Sequence, residues 1–414
     1  MFPPKSTNSL IPKRFNSLSV FLKTHRVLWQ ARPFVERVLT WEDEYTNLSK
    51  WLRNLSHAEI DQCEANLVDG ILFDAPFPLN EWQKTAQRHN DLPQFGSHPC
   101  PSLGNRRYAH GIPERKWRQI NQFIETCAHL LPQRECSIID WCAGKGHVSL
   151  SLNRALNARM TALEKREDLC EHGRALAIER KQKHCSFHSV DVIHQKTDRY
   201  WNHQDAGVAL HACGFLTDEL FDMASLHQTP YVVAVPCCYH NLGGKDFYEP
   251  QSEAGCEQCL PLSQAHLRLA TAEEAVAREP IRKARRREMS YRLGLDLLFR
   301  EATGKDVYQL QGPFSKELLN ANFETFCRLA SQKLELPLPR DFSPETALLA
   351  GEERAREVRA LGLVRATFRR SLELWLILDR AMKLIESERE VQVGTFCSRR
   401  ITPRNIMLFG KLVD

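Results

Sequence analysis

The chain has 414 residues, of which 43% are hydrophobic and 26% are charged, and its formal net charge is +5. This composition is that of a folded globular protein and excludes disordered and fibrous chains, while the length allows two or three structural units. The charge is too small to indicate a polyanionic partner on its own, and no apolar run is long enough to cross a bilayer.

The cysteine content indicates the compartment. The sequence holds 14 cysteines and no recognisable secretory signal. In a reducing environment such cysteines stay thiols, act chemically or bind metal. We therefore expect a cytoplasmic protein.

The first residues are basic and contain no acid before Glu36. We predict that residues 1–25 form a flexible basic tail, because Pro3, Pro4 and Pro12 disfavour an amphipathic helix. An organelle transit peptide, which is also basic and poor in acids, is the alternative.

Residues 26–95 are predicted to form an N-terminal helical region. Trp29, Phe34, Val38 and Trp41 recur at near-helical spacing. Their aromatic side chains are expected in a hydrophobic core rather than at a ligand.

The central part of the chain, residues 105–240, is predicted to fold as an α/β core. Strands alternate with helices here, and such alternation builds a parallel sheet. The predicted strands are 137–141, 159–163, 186–190, 207–210 and 231–235. A cluster of bases stands before the first of them, where it could hold a substrate phosphate or simply form a solvated helix start: Arg106, Arg107, Arg115, Lys116 and Arg118.

A glycine turn follows the first predicted strand. Asp140 ends the strand, Gly144 and Gly146 form the turn, and a helix begins near His147. Glycines at such a turn let a ligand approach the backbone beside the positive end of the helix. A single Gly-x-Gly is weak evidence for a ligand site, so this prediction depends on the elements that follow it in the sequence.

Polar residues stand where four predicted strands end: Asp140, Glu164, Asp191 and His211. Ligands of parallel sheets bind at this edge. Glu164 follows Gly146 at about the separation, roughly 20 residues, expected of a ribose-binding acid. This predicts an adenosine-containing ligand. NAD is the alternative, although Ser149 stands where its pyrophosphate normally requires a third glycine.

Two further segments complete the predicted organisation. Residues 241–365 are predicted to form a helical insertion, whose basic run includes Arg282, Arg285 and Arg286. This run either contacts nucleic acid or forms a solvated helix face. Residues 366–414 are predicted to end the core with a long helix and two strands. Because a short loop joins these strands, they should pair antiparallel.

Four motifs resemble those of class I S-adenosylmethionine-dependent methyltransferases. They are Asp140-Trp-Cys-Ala-Gly-Lys-Gly-His147, Leu210-His-Ala-Cys-Gly-Phe-Leu-Thr-Asp218, Val235-Pro-Cys-Cys-Tyr-His240 and Ile401-Thr-Pro-Arg-Asn405. The last three resemble a branch that includes eukaryotic methyltransferase-like proteins, the methyltransferase half of the glutathione-transferase C-terminal-domain-containing protein, and tRNA acceptor-stem ribose methyltransferases. The resemblance implies a Rossmann-like α/β fold with a parallel sheet and one antiparallel terminal strand.

The resemblance also implies a cofactor site for S-adenosyl-L-methionine. Asp140, Ala143, Gly144 and Gly146 would hold its methionine part, Glu164 its ribose hydroxyls, and Asp191 its adenine amino group. His211 is expected beside the cofactor as well. Cys142 departs from the usual motif, which has glycine at this position; a left-handed backbone there would be strained.

His211, His240 and Cys238 are the predicted catalytic residues. They follow the fourth and fifth strands, and either histidine would orient the methyl acceptor. No metal is predicted. The alternatives are a zinc site and a nucleophilic Cys213 or Cys238; the zinc alternative would draw on Cys237, Cys238, His240, Cys256 and Cys259.

The sequence thus predicts a transferase: an S-adenosylmethionine-dependent methyltransferase acting in RNA modification, with tRNA as the specific acceptor. RNA would contact Arg106, Arg107, Arg115, Lys116, Arg282, Arg285 and Arg286. A protein or small-molecule acceptor, a non-catalytic cofactor- or RNA-binding relative, and a nucleotide-dependent dehydrogenase are the alternatives.

Overall fold

The computed structural model of the chain describes residues 7–100, 106–132, 136–272, 278–309 and 311–413. The chain divides into two compact units, each assembled from separate segments. The first, which we call the sheet unit, comprises residues 1–24, 88–273 and 369–414. The second, the helical unit, comprises residues 25–87 and 274–368.

The sheet unit is built on a seven-stranded sheet. Its strands are β1 (Ser137–Trp141), β2 (Arg159–Glu164), β3 (Cys185–Ser189), β4 (Ala206–Cys213), β5 (Tyr231–Cys237), β6 (Arg389–Thr395) and β7 (Ile406–Leu412). The spatial order is β3-β2-β1-β4-β5-β7-β6, and β1 to β5 are mutually parallel. β7 runs antiparallel to both β5 and β6. The predicted α/β sheet with one reversed strand near its end is confirmed.

The described helices are numbered in chain order. They are α1 (Thr7–Thr24), α2 (Arg26–Gln30), α3 (Thr46–Asn54), α4 (His57–Asp69), α5 (Leu79–Asn90), α6 (Glu114–Leu130), α7 (His147–Leu156), α8 (Glu167–Glu179), α9 (Asp198–Trp201), α10 (Phe215–Leu226), α11 (Glu253–Gln258), α12 (Gln264–Thr271), α13 (Glu279–Thr303), α14 (Lys316–Asn320), α15 (Phe323–Leu334) and α16 (Pro344–Glu386). Among these described helices none is both long and apolar enough to cross a membrane.

The sheet is buried because helices cover it. α6 and α7 pack their apolar side chains, such as Phe123 and Leu152, against β1, β4, β5 and β7. Leu150 of α7 and Cys170 of α8 pack with Phe187 of β3. Strands buried in this way read as continuous apolar runs, and the central strand β1 is buried from Ile138 to Trp141.

The predicted tail is wrong for residues 7–24, which form α1. Phe15, Leu18 and Leu22 are fully buried at helical spacing, and the ring of Phe15 lies 5.4 Å from that of Trp375. Pro12 inside the helix costs about 3 kcal/mol. Burial of the three apolar side chains outweighs this, since each contributes about 1.5–3 kcal/mol.

The units differ from the predicted domains in two respects. The N-terminal helices and most of the predicted insertion form one unit, because arginines of α13 and α16 bind the earlier helices: Arg286 and Arg359 both pair with Asp61 of α4. Residues 241–273 belong to the sheet unit, where the Asp379 carboxylate of α16 accepts hydrogen bonds from Tyr248 Oη (2.6 Å) and Ser252 Oγ (2.6 Å).

Some predictions lie outside the described residues. They concern residues 1–6 of the tail and the side chains of Arg106 and Arg107, whose backbone forms a short 3-10 helix, Arg106–Ala109.

Candidate functional site

The glycine turn and Glu164 meet at the carboxyl ends of β1 and β2. The Gly144 N–H donates to Oε2 of Glu164 (2.9 Å), and the Arg166 N–H donates to Oε1 (3.0 Å). The backbone therefore fixes the carboxylate at the turn. A carboxylate has about four acceptor positions, so Glu164 keeps capacity for two further donors.

The two glycines of the turn have different surroundings. Both have positive φ, +58° at Gly144 and +72° at Gly146. A Cβ on Gly146 would lie 2.2 Å from the Phe187 ring, whereas a Cβ on Gly144 would meet nothing within 4 Å. Gly146 thus serves close packing, and the space over Gly144 is open to a ligand.

Cys142 adopts the strained conformation that its position in the motif suggested. Its φ is +59°, in the region that favours glycine. Burial, followed by the charges of Glu164 and Asp140, raises the pKa of its thiol to about 12. Cys142 is therefore a neutral, half-buried thiol beside the turn.

Asp140 acts inside the fold. It is buried, and its Oδ2 accepts hydrogen bonds from Ser149 N–H (3.0 Å) and Ser149 Oγ (2.5 Å) in the first turn of α7. Burial raises the pKa of this carboxyl to about 7. Asp140 thereby secures the start of α7 against the turn, and direct contact with a cofactor stays a prediction.

Asp191 lies just beyond β3. It pairs with Lys165 Nζ at 2.8 Å, and this hydrogen bond lowers the pKa of its carboxyl. Asp140, Glu164 and Asp191 all act electrostatically on Cys142. Asp191 is therefore compensated by Lys165, and Asp140 is engaged with Ser149 inside the fold.

His211 lies at the carboxyl end of β4 with φ +75°. The side-chain amide of Gln119 contacts its Nε2. Nδ1 is buried without a partner among the described residues. Burial, followed by the charge of Lys116, lowers the pKa of His211 to about 3. The sequence analysis did not identify Gln119, which belongs to no motif. The structure shows its side chain buried on the side of α6 that faces the sheet.

Three thiols converge at the ends of β4 and β5. The sulfur atoms of Cys213, Cys237 and Cys238 all lie within 4.8 Å of one another. Hydrogen bonds from Cys213 and Cys237 lower the pKa of Cys238 to about 2, while that of Cys237 is raised. The group thus favours one thiolate, on Cys238. His240 follows it, and its Nδ1 is buried with no partner in the described part of the chain.

Cys256 and Cys259, which the zinc alternative included, are exposed at α11. They do not join the three-thiol group. The Cys256-x-x-Cys259 spacing therefore does not mark a metal centre among the described residues.

Residues of two of the sequence motifs form buried polar contacts that hold the fold together. Asp218 forms a buried ion pair with Arg380 (Nε–Oδ1, 2.7 Å). Arg404 pairs with Glu373 at 3.2 Å, and Asn405 Oδ1 accepts from Arg370 (2.6 Å). The partners of these motifs, charged residues within the buried part of α16, were not anticipated. In the sequence, these partners could have been recognised as charged residues that interrupt an otherwise apolar run in a predicted helix.

The predicted RNA-contacting bases lie in different places. Arg115 and Lys116 are in the sheet unit at the start of α6, and both act electrostatically on His211. Arg282, Arg285 and Arg286 lie on α13 of the helical unit. Arg282 pairs with Glu279 of its own helix (2.9 Å), and Arg285 is exposed. Arg286 pairs with Asp61 (2.7 Å).

The helical unit contains a basic cavity of about 510 Å³. Four arginines and one histidine line it, against a single acid: His57, Arg286, Arg287, Arg356, Arg359 and Glu352. The side chain of Arg287 is exposed and donates to Asn320 Oδ1 (2.5 Å). Three of the four arginines are held in ion pairs with acids outside the lining: Arg286 and Arg359 with Asp61, and Arg356 with Glu353.

Comparison with known families gives one match. Residues 115–245, which include the turn, Glu164, His211 and the three thiols, match a family described as a methyltransferase domain. The match covers 131 of the 414 residues of the chain.

Curated relatives carry the name glutathione S-transferase C-terminal domain-containing protein. The Xenopus laevis protein is 26% identical over 162 residues, covering 35% of this chain and 25% of its own length. The human protein is 23% identical over 213 residues, 47% of this chain and 32% of its own. The chain thus spans about a quarter to a third of these relatives.

Solved structures similar to the chain include two methyltransferases. Coclaurine N-methyltransferase, bound to N-methylheliamine and S-adenosylhomocysteine, covers 46% of this chain and 63% of its own at 12% identity and a TM-score of 0.27. Pyrococcus abyssi tRNA (uracil-54, C5)-methyltransferase, bound to S-adenosyl-L-homocysteine, covers 31% and 32% at 14% identity and a TM-score of 0.24.

Proposed function

We propose that the chain is an S-adenosylmethionine-dependent methyltransferase and that its acceptor is RNA, with tRNA as the specific substrate. The bound cofactor would supply a methyl group on a sulfonium, and the residues of the sheet unit would hold it and align the acceptor. The observation that carries the proposal is the position of the Glu164 carboxylate. It accepts a hydrogen bond from the N–H of Gly144 (2.9 Å), and the space over Gly144 is open.

The donor set fits this cofactor. Glu164 retains acceptor positions for two ribose hydroxyls, and the missing Cβ of Gly144 leaves room against the backbone. Ala143 stands in the same turn, where its N–H donates to Leu163 O (2.9 Å) and fixes the turn to β2.

Calorimetry of Glu164 variants tests cofactor binding. Replacing Glu164 by Gln removes a charged acceptor, and such hydrogen bonds are worth about 1.5–3 kcal/mol, so affinity for S-adenosylmethionine should fall by about 10- to 100-fold. Glu171→Gln, an exposed acid on α8, is the matched control and should bind as the wild type does. Equal affinities in both variants would remove the proposed site.

The acceptor proposal is supported by positive charge around His211. Lys116, Arg404 and Arg115 all act on its ring, and the Cys238 sulfur acts on it in the opposite direction. A methyl acceptor that carries phosphates fits this side of the site. At the cavity of the helical unit the exposed Arg287 offers a further contact for a phosphate.

His211 and His240 are proposed to orient the acceptor. The Nδ1 atom of His211 has no partner among the described atoms and would form a hydrogen bond with the methyl acceptor. His211→Ala should lower turnover about tenfold, the effect of one hydrogen bond worth about 1.4 kcal/mol, without changing cofactor affinity. If His211→Ala and His240→Ala both keep wild-type turnover, this assignment fails.

A radiolabelled methyl assay on total RNA and on protein extract identifies the acceptor class. Label in the tRNA fraction that nuclease removes supports the proposal. Label confined to protein or small molecules would replace RNA as the acceptor. Cofactor binding without label in any fraction would make the chain a non-catalytic relative.

A further inference from the structure

The three-thiol group is defined here as Cys213, Cys237 and Cys238. The sulfur atoms of Cys213 and Cys237 are 3.7 Å apart, and all three lie within 4.8 Å of one another. All three cysteines are free, and Cys237 is buried while the other two are half-buried. Among the described residues no other group of three metal-ligating side chains is this compact.

An unusual backbone brings the adjacent cysteines together. In an extended strand Cys237 and Cys238 would point to opposite faces of the sheet. Cys238 instead has φ +47°, which turns its side chain back toward the thiol of Cys237. A non-glycine residue in this region costs about 1–3 kcal/mol and persists where the surrounding structure enforces it.

The end of β4 is shaped in a complementary way. The β4–β5 pairing is irregular between Leu210 and Cys213, where His211 has φ +75°, and pairing resumes with Cys213 opposite Cys237. Gly214 joins the two strand ends, because its N–H donates a hydrogen bond to Cys237 O (2.8 Å). A larger residue does not fit there, since a Cβ would lie 2.1 Å from Asn241 O. His211 and Cys238, which have left-handed backbones, and Gly214 therefore all lie at the strand ends that carry the three sulfur atoms.

The donor chemistry selects the ligand. Three sulfur donors favour Zn²⁺ and disfavour Mg²⁺ and Ca²⁺, which take oxygen ligands. A zinc site with three protein ligands leaves a fourth position for water or another donor. His240, two residues after Cys238, has a buried Nδ1 without a partner among the described residues, but it is not part of this compact group.

We propose that Cys213, Cys237 and Cys238 bind one Zn²⁺ ion through their sulfur atoms and leave its fourth position open to a further donor. Binding releases the protons of those thiols that are protonated and requires no oxidant or reductant. The ion would lie at the same sheet edge as His211. This site is independent of the cofactor: it persists whether or not the chain transfers methyl groups.

Cobalt substitution tests the proposal on the full chain. The protein is reduced, freed of metal with a chelator and titrated with Co²⁺. We expect saturation at one equivalent, sulfur-to-cobalt charge-transfer absorption in the near ultraviolet and the visible bands of a tetrahedral ion, all abolished by adding Zn²⁺. Glu164→Gln should give the same titration, which separates this result from the outcome of the methyltransferase tests.

Two half-buried positions provide the variants. Cys213→Ser and Cys238→Ser should each lose one sulfur's share of the charge-transfer absorption and bind Co²⁺ more weakly. Cys256→Ser, which replaces an exposed cysteine outside the group, should titrate as the wild type does. The proposal is overturned if the reduced, folded wild type gives no charge-transfer band, or if Cys256→Ser loses as much of it as the other two.

Discussion

Gly144 and Gly146 serve different needs two residues apart. An alanine at either position must adopt the left-handed backbone, at a cost of about 1–2 kcal/mol. At Gly146 its methyl group would also collide with the Phe187 ring, which adds about 1–3 kcal/mol of overpacking. At Gly144 the same methyl group would enter the space proposed for the cofactor.

Alanine substitutions at the two glycines should therefore separate folding from binding. Gly146→Ala is expected to lower the free energy of unfolding by about 2–5 kcal/mol, the sum of these two costs. Gly144→Ala should lose only about 1–2 kcal/mol of stability yet bind S-adenosylmethionine much more weakly. Urea denaturation and calorimetry measure the two effects. Normal cofactor affinity in a folded Gly144→Ala would mean that the ligand lies elsewhere.

The buried His211 should make the protein sensitive to acid. Its pKa is about 3 in the folded chain, against an ordinary value of 6.5. As the pH falls below 6.5 the unfolded chain binds a proton that the folded chain does not, so stability decreases toward pH 3, by up to about 1.4 kcal/mol per pH unit. His211→Asn should show a shallower decrease between pH 6.5 and 4.5 in urea denaturation.

The comparison must be made between variants, because Asp140 acts in the opposite direction. Its folded pKa, about 7, exceeds the ordinary 3.8, so its contribution falls as the pH rises between these values. His194→Asn, at an exposed position, is the control. Equal pH profiles for the His211 and His194 variants would contradict the prediction.

At the residue scale the sequence indicated part of the site. The meeting of Glu164 with the Gly144 turn followed from the order of strands, because carboxyl ends of neighbouring parallel strands share one edge. The three-thiol group could not be anticipated, because adjacent cysteines of an extended strand point to opposite faces and the sequence does not show that Cys238 is left-handed. Long-range partners such as Gln119 carry no local signal.

Among the elements, the strands were predictable and the partners of helices were not. β1 has the predicted bounds, because a run of buried apolar residues marks it in the sequence. α1 was missed because its prolines were weighed without the burial of its apolar face. Periodicity indicates that a face is apolar and says nothing about which element covers it.

α1 should contribute to the stability of the sheet unit. Phe15→Ala removes a fully buried ring that lies against Trp375, and such truncations cost about 3–5 kcal/mol. Val20→Ala on the same helix, at a side chain that is 62% exposed, should change stability by less than about 0.5 kcal/mol. Thermal or urea denaturation compares the two. Equal losses would indicate that α1 does not pack as described.

At the scale of the whole molecule, two units are assembled from interleaved segments. The helical unit supplies the basic cavity, and the sheet unit supplies the glycine turn. In the proposed function the cavity would contact phosphates and the turn would hold the cofactor.

RNA binding should depend on the cavity and on salt. Arg287→Glu reverses a charge that lines it, so affinity for tRNA should fall and the slope of log K against log salt should decrease by about one. Arg328→Glu, on α15 outside the cavity lining, is the matched control. Filter binding at several salt concentrations measures both. Equal slopes for the two variants would exclude the cavity as an RNA contact.

The place of β7 between β5 and β6 has a consequence for how the protein is made. During synthesis β5 leaves the ribosome long before Ile406 does. The edge of β5 that pairs with β7 therefore stays unpaired while the intervening helices are synthesised. An unpaired, apolar edge strand readily joins other chains. Newly made chains should therefore need a chaperone until the C-terminal hairpin arrives, and chains stalled before Ile406 should aggregate rather than accumulate as soluble intermediates.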